Sequence, residues 1–162
     1  MIPPPARVVV AGLGNEYRRD DGAGPLIAER AVTRAGRGSV VGPFADPLDL
    51  LGEWDGADLA VVVDAVRSGQ VPGTLTTIEL VDSPDGDLPG GHLGASSTHG
   101  IGLAGVLRLA RAVARAPGRV VVVGIEGGDF SQGTGLSPEV EAAVPSAVRK
   151  VVDLIEGGVP CA

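Results

Sequence analysis

Short β-branched runs alternate along this chain with stretches of helical spacing, and that alternation restricts the fold more than any other feature. Arg7 to Leu13 is one such run, ending in glycines, and reads as a buried strand. Gly22 to Ala35 follows, with Leu26, Ile27, Ala31 and Val32 near helical spacing. Ser39 to Val41 reads as a second strand, followed by a Pro/Asp-opened helical turn through Leu48, Leu51 and Trp54. The third strand is Asp58 to Val66 (DLAVVVDAV) and the fourth is Leu75 to Leu80. A Gly/Pro/Asp/Ser-rich loop over 82–98 leads to a helix from His99 to Ala116, a fifth strand from Arg119 to Ile125 and a closing helix from Ser137 to Ile155. Strands alternating with helices predict a three-layer α/β/α sandwich around a mostly parallel sheet. One connection departs from that rule. The seven residues Arg67 to Gly73 join strands three and four, whereas a parallel crossover takes roughly ten or more. The fourth strand is therefore expected to be antiparallel, in a mixed five-stranded sheet.

With 162 residues the chain has the length of one domain, expected over 7–157, with a flexible extension at 1–6 and a tail at 158–162. Aromatic residues make up 2%, so the core must be assembled from Val, Leu, Ile and Ala. The net charge of −7 argues against nucleic acid, because neutralising phosphates needs a basic face. Cys161 is alone, which excludes a disulfide framework and a thiolate metal cluster. Met1-Ile2-Pro3-Pro4-Pro5 is not a signal peptide, and no apolar run reaches the roughly 18 residues of a membrane span. A cytoplasmic protein, monomeric or weakly homo-oligomeric, is expected.

In an open α/β sheet, sites form beyond the carboxyl ends of the strands, where the winding reverses. With strands one to three in the order 2-1-3, that point lies between strands one and three. Residues 12–24, GLGNEYRRDDGAG, follow the first strand, and Asp64 sits near the end of the third. Asp20 or Asp21 after strand one would then face one crevice with Asp64, and His99, opening the helix after the long loop, can lean into its mouth. Two carboxylates and an imidazole suit Ni, Zn, Co or Mn, and lack the thiolates of a structural zinc site. Asp20 reads as the N-cap of the following helix, an ordinary role for Asp. Asp64, in the apolar context VVVDAV, needs a partner of some kind, since an unpartnered buried carboxylate costs several kcal/mol. His92 reads as solvated, and Glu16, Arg18 and Arg19 as loop surface paired with one another. Gly12 and Gly14 serve a tight turn: a GxGxxG dinucleotide site would need glycine at Tyr17. No organic cofactor is expected.

Four blocks, VVVAGLGNEYRRDDGAGPLIAE, VVVDAV followed by PGT, STHGIGL, and VGIEGG with GTGLSPEVEAAV, resemble in that order the signature of the hydrogenase maturation endopeptidases. The resemblance runs from about Arg7 to Leu154. It implies a cytoplasmic endopeptidase, classed with the aspartic type, that removes the C-terminal extension of a nickel-containing hydrogenase large-subunit precursor after nickel insertion. The partner it implies is the nickel-loaded precursor, with the nickel held by the substrate and contacted by the enzyme. The carboxylate–carboxylate–histidine trio of that family falls on Asp21, Asp64 and His99, the residues already singled out, as metal-contacting and catalytic groups. Gly127-Gly128 departs from the more polar or proline-containing stretch usual there, which leaves substrate choice open. The metal either polarises the scissile carbonyl and activates water, or serves as a recognition handle while Asp64 or Asp21 acts as general base. Cys161 is a poor nucleophile. GLGN with a following Tyr and Arg pair also resembles the opening of the peptidyl-tRNA hydrolases, but Asp20-Asp21 stand where those enzymes carry histidine. A nickel-sensing or chaperone module that binds precursor without cutting it is the non-enzymatic alternative.

Overall fold

The computed structural model describes residues 7–80 and 102–157. The elements run β1 (Val8–Leu13), α1 (Ala23–Ala35), β2 (Ser39–Phe44), α2 (Leu50–Glu53), β3 (Leu59–Val66), β4 (Leu75–Leu80), α3 (Leu103–Ala112), β5 (Arg119–Glu126) and α4 (Pro138–Ile155). Two 3-10 turns, Arg19–Gly22 and Pro47–Asp49, precede α1 and α2. The loop at 82–98 with His92, the residue His99, the extension 1–6 and the tail 158–162 fall outside the described residues.

The five strands lie in the order β2-β1-β3-β5-β4. β1 pairs in parallel with β2 and β3, and β3 pairs in parallel with β5. β4 runs antiparallel on β5, with Leu75 opposite Ile125 and Leu80 opposite Val120. The short β3–β4 connection dictates this direction, because it is too short to carry the chain back across a sheet face.

Period-two alternation divides the strand residues between two cores. Val8, Val10, Leu59, Val61, Val63, Val121, Val123 and Ile125 pack against α1 and α4 through Ile27, Ala31, Val140, Val144 and Val151. Ala11, Leu13, Ala60, Val62, Val120 and Val122 face α2 and α3 through Leu50, Trp54, Val106, Leu107 and Ala110. β1 and β3 are buried along their whole length, which is why their sequences are apolar runs rather than alternating ones. α4 starts with Pro138 in its first turn behind Ser137, where proline's missing N–H costs nothing. α3 stops at Ala112, short of the expected Ala116. Ala114 takes a left-handed φ of 58°, and Pro117 cannot extend a helix.

After β1 the chain turns through α1 to β2 on one side, then crosses by α2 on the opposite face to reach β3. The winding therefore reverses between β1 and β3, and α1 starts in that gap. Gly24, in its first turn, allows the close approach: a Cβ there would lie 2.4 Å from the Leu13 carbonyl oxygen and 2.5 Å from that of Val63. Neither strand end can yield, since both are central in the sheet. Gly24→Ala is expected to destabilise the fold by about 2 kcal/mol or more. Gly52→Ala, in α2 with nothing within 4 Å of the added methyl, should be neutral or stabilising by roughly 0.5–1 kcal/mol. Urea unfolding of both variants checks the contrast, and equal effects would place α1 elsewhere.

Candidate active site

The loop leaving β1 folds back on itself through its glycines. Gly14 has φ 128°, and a Cβ there would lie 1.9 Å from the backbone oxygen of Asp21. A Cβ on Gly12 would lie 2.5 Å from Pro25 Cα. Both glycines serve backbone contact, as the turn reading expects. The Asn15 side chain accepts a 2.9 Å hydrogen bond from Tyr17 N–H, and its backbone N–H donates to Asp21 Oδ2 at 2.9 Å. A guanidinium nitrogen of Arg18 stands 3.9 Å from the same oxygen. Asp21 is thus held over the carboxyl end of β1.

Asp64 occupies the adjoining strand end. It follows Val62 on the face that carries α2 and α3, beside Gly124 of β5, which offers no side chain to crowd it. Its Oδ1 is buried and has no hydrogen-bond partner among the described residues. Burial raises its pKa well above the ordinary 3.8, the negative charge of Asp21 adds to the rise, and a hydrogen bond from the Ala65 backbone opposes it. The charge of Asp21 is therefore felt at Asp64. Such an oxygen is satisfied by a proton or by a cation. Among the described residues no three His, Cys, Asp or Glu side chains form a metal-sized cluster; His99 lies outside them. α3, whose first residue is Leu103, follows that position on the Asp64 face and touches the Pro47–Asp49 turn beyond β2.

Asp20 does not cap a helix. The N-cap of α1 is Gly22, with no side-chain cap. Instead the Asp20 carboxylate, 0% exposed, accepts four hydrogen bonds from the loop beyond β5. The donors are Gly128 N–H at 2.8 Å, Asp129 N–H at 2.9 Å, Ser137 N–H at 2.7 Å and the Ser137 hydroxyl at 2.8 Å. Arg18 meets Asp21, while Arg19 donates to the Thr134 carbonyl and stands 3.7 Å from Asp129. Asp129, half-exposed, is held below its usual range by the Ser131 hydroxyl and backbone N–H, with Arg19 adding to the effect. Sequence reasoning passed over Glu126, which is buried and accepts from the Ser68 N–H at 2.9 Å and from the Ser68 hydroxyl. An acid closing an apolar strand was the available signal, as for Asp64. At Gly127 a Cβ would lie 2.5 Å from the Phe130 ring and 3.3 Å from Asp20 Cβ, which accounts for a glycine at that position.

The sequence matches the HycI hydrogenase maturation protease family over residues 40–154. Hydrogenase expression/formation protein HupD of Rhodobacter capsulatus is 32% identical over 154 residues, spanning 91% of this chain and 70% of that protein. Hydrogenase 2 maturation protease of Escherichia coli is 28% identical over 162 residues, spanning 94% of this chain and 93% of that protein. The solved [NiFe] hydrogenase maturation protease HybD from Thermococcus kodakarensis superposes with a TM-score of 0.70 at 28% identity, covering 92% of this chain and 99% of that one.

Two outcomes follow from the buried acids. Because the folded chain holds the Asp64 proton more tightly than the unfolded chain, the group's stabilising contribution is present below about pH 4 and is lost as pH rises through the folded value. Metal-free Asp64→Asn should therefore gain on the parent protein between about pH 5 and about pH 8 in thermal unfolding; a stability gap independent of pH would contradict the burial described. Asp20→Asn turns an amide N–H₂ toward a pocket lined by backbone N–H donors, and should cost about 2–4 kcal/mol in urea unfolding. Asp46→Asn, at the exposed N-cap of the Pro47–Asp49 turn, should cost less than about 0.5 kcal/mol, because the two residues cap equally well.

Proposed function

The chain belongs to the hydrogenase maturation protease family, and from that premise we propose that it removes the C-terminal extension of a nickel-containing hydrogenase large-subunit precursor once nickel is in place. The observation that carries this reading is the buried Oδ1 of Asp64, without a partner among the described residues, beside the negative charge of Asp21. An acid in that position favours its proton until a cation arrives. A divalent centre presented by the substrate exchanges for the proton, and the Asp64 and Asp21 carboxylates then contact it from the enzyme side. His99 is the third proposed contact, assigned from the motif STHGIGL.

The donor set fits such a centre. Carboxylate and imidazole suit nickel, and three protein ligands leave a position for groups brought by the precursor. A substrate-held metal also explains selectivity, since empty precursor leaves the buried acid protonated and offers nothing to the crevice. Hydrolysis of the peptide bond then uses a water activated by one carboxylate of the pair, the sense in which the chain is an aspartic-type endopeptidase. The nickel-loaded precursor is accordingly its proposed partner, and the cytoplasm its proposed site of action. No described helix is long and apolar enough to cross a membrane.

The test uses purified precursor with and without nickel and an enzyme stripped by chelation and desalting. The shortened large subunit should appear with nickel-loaded precursor alone, and stripping the enzyme should not abolish cleavage. Asp21→Asn and Asp64→Asn should each lower the rate by about 100-fold or more, because an amide keeps size and loses charge. Cutting of rigorously nickel-free precursor would remove the substrate-held metal from the account, and full activity of either variant would remove that acid.

A further inference from the structure

Two buried carboxylates outside the trio, Asp20 and Glu126, lie on one hydrogen-bonded path between the strand ends that carry Asp21 and Asp64. The path starts on β3. Val66, two residues beyond Asp64, accepts from Gly127 N–H at 2.9 Å, and Ser68 donates twice to the Glu126 carboxylate. The Arg67 guanidinium covers the Phe130 ring at 4.5 Å from its centroid, a further tie between the end of β3 and the loop after β5. Gly128 and Asp129 then donate to Asp20, and Ser137 at the start of α4 donates twice more. The backbone repeats the join, through Asp20 N–H to the Asp129 carbonyl, Arg19 N–H to the Gly133 carbonyl and Gly133 N–H to the Tyr17 carbonyl.

The turn that buries Asp20 is the one that carries Asp21. Neighbouring residues of a 3-10 turn point in different directions, so fixing one fixes the other. We propose that Asp20 is a positioning residue: by holding the Arg19–Gly22 turn to the loop after β5, it sets where Asp21 stands relative to Asp64. Glu126 fixes the other end of the same path. Neither acid is assigned contact with substrate. In catalytic terms the proposal rests on the processing reading above, in which Asp21 and Asp64 act on one centre.

Three variants test it. Asp20→Asn replaces an all-acceptor carboxylate, Ser137→Ala removes a single donor while leaving the turn's backbone intact, and Val148→Ala weakens the α4 core away from the path. The Asn15 amide donates to Asp21 Oδ2, so its NMR resonance reports Asp21 directly and without any substrate. Asp20→Asn, and Ser137→Ala to a smaller extent, should move that resonance toward its position in Asp21→Asn. With nickel-loaded precursor, Asp20→Asn should lower kcat by about tenfold or more, as small misplacements of reacting groups do, with KM within about threefold. Val148→Ala should lose stability, keep the Asn15 resonance and keep kcat. If Asp20→Asn does not fold, Ser137→Ala carries the same two readouts. An unmoved Asn15 resonance in folded Asp20→Asn or Ser137→Ala overturns the proposal, as does a kcat loss that Val148→Ala reproduces. A parent protein that leaves the precursor uncut would remove the processing reading, while a shifted Asn15 resonance would still uphold the positioning role.

Discussion

A carboxylate at the end of a strand buried on both faces must find a proton, a donor or a cation, and the organisation around Asp64 follows from that requirement. β3 lies between β1 and β5 in the middle of the sheet, with helices covering either side. Asp64 is buried, Gly124 brings no polar side chain from β5, and the nearby charge of Asp21 repels a second negative charge. Burial and that charge both shift the acid toward its protonated form. The proposed function uses the other solution, a cation brought to the crevice by the substrate and withdrawn with it.

Adjacent acids do unlike work because they sit on a tight turn. Asp20 is turned into the protein, where its four donors come from a loop more than a hundred residues away in sequence. Asp21 stands near enough to Asp64 for its charge to be felt there, and among the described residues it accepts from the Asn15 backbone N–H and lies 3.9 Å from a guanidinium nitrogen. Complete satisfaction of one carboxylate holds the turn rigid, and incomplete satisfaction of its neighbour leaves capacity for a ligand. A mobile turn would spread Asp21 over several positions and dilute its action on any centre shared with Asp64.

The architecture could be read from the sequence because its cause is local. Alternating β-branched and helical segments specify layered strands and helices, and the short Arg67–Gly73 link sets the direction of β4. Asp64 stood out for a similar reason, as one acid inside an apolar run. Asp20 was misread because a neighbouring helix start supplies an ordinary role for Asp, while its true donors are distant in sequence. The partners of Arg19 escaped for the same cause, since Thr134 and Asp129 depend on how the loop after β5 folds over the β1 turn. Glu126 carried the same signal as Asp64, an acid among apolar residues, yet its use as an anchor for Ser68 arises only when β3 and β5 lie side by side. The position of His99 relative to the two acids lies beyond the described residues, so its place in the trio continues to rest on sequence.

Nickel-edge X-ray absorption tests most directly whether the crevice acids meet a substrate-held metal. Spectra would be taken of nickel-loaded precursor alone, and then rapidly frozen with a stoichiometric amount of the enzyme before cleavage. The account predicts that added oxygen and nitrogen ligands appear at nickel on mixing, and fail to appear with Asp64→Asn. A nickel spectrum unchanged by the parent enzyme, in a complex that goes on to cleave, would contradict it.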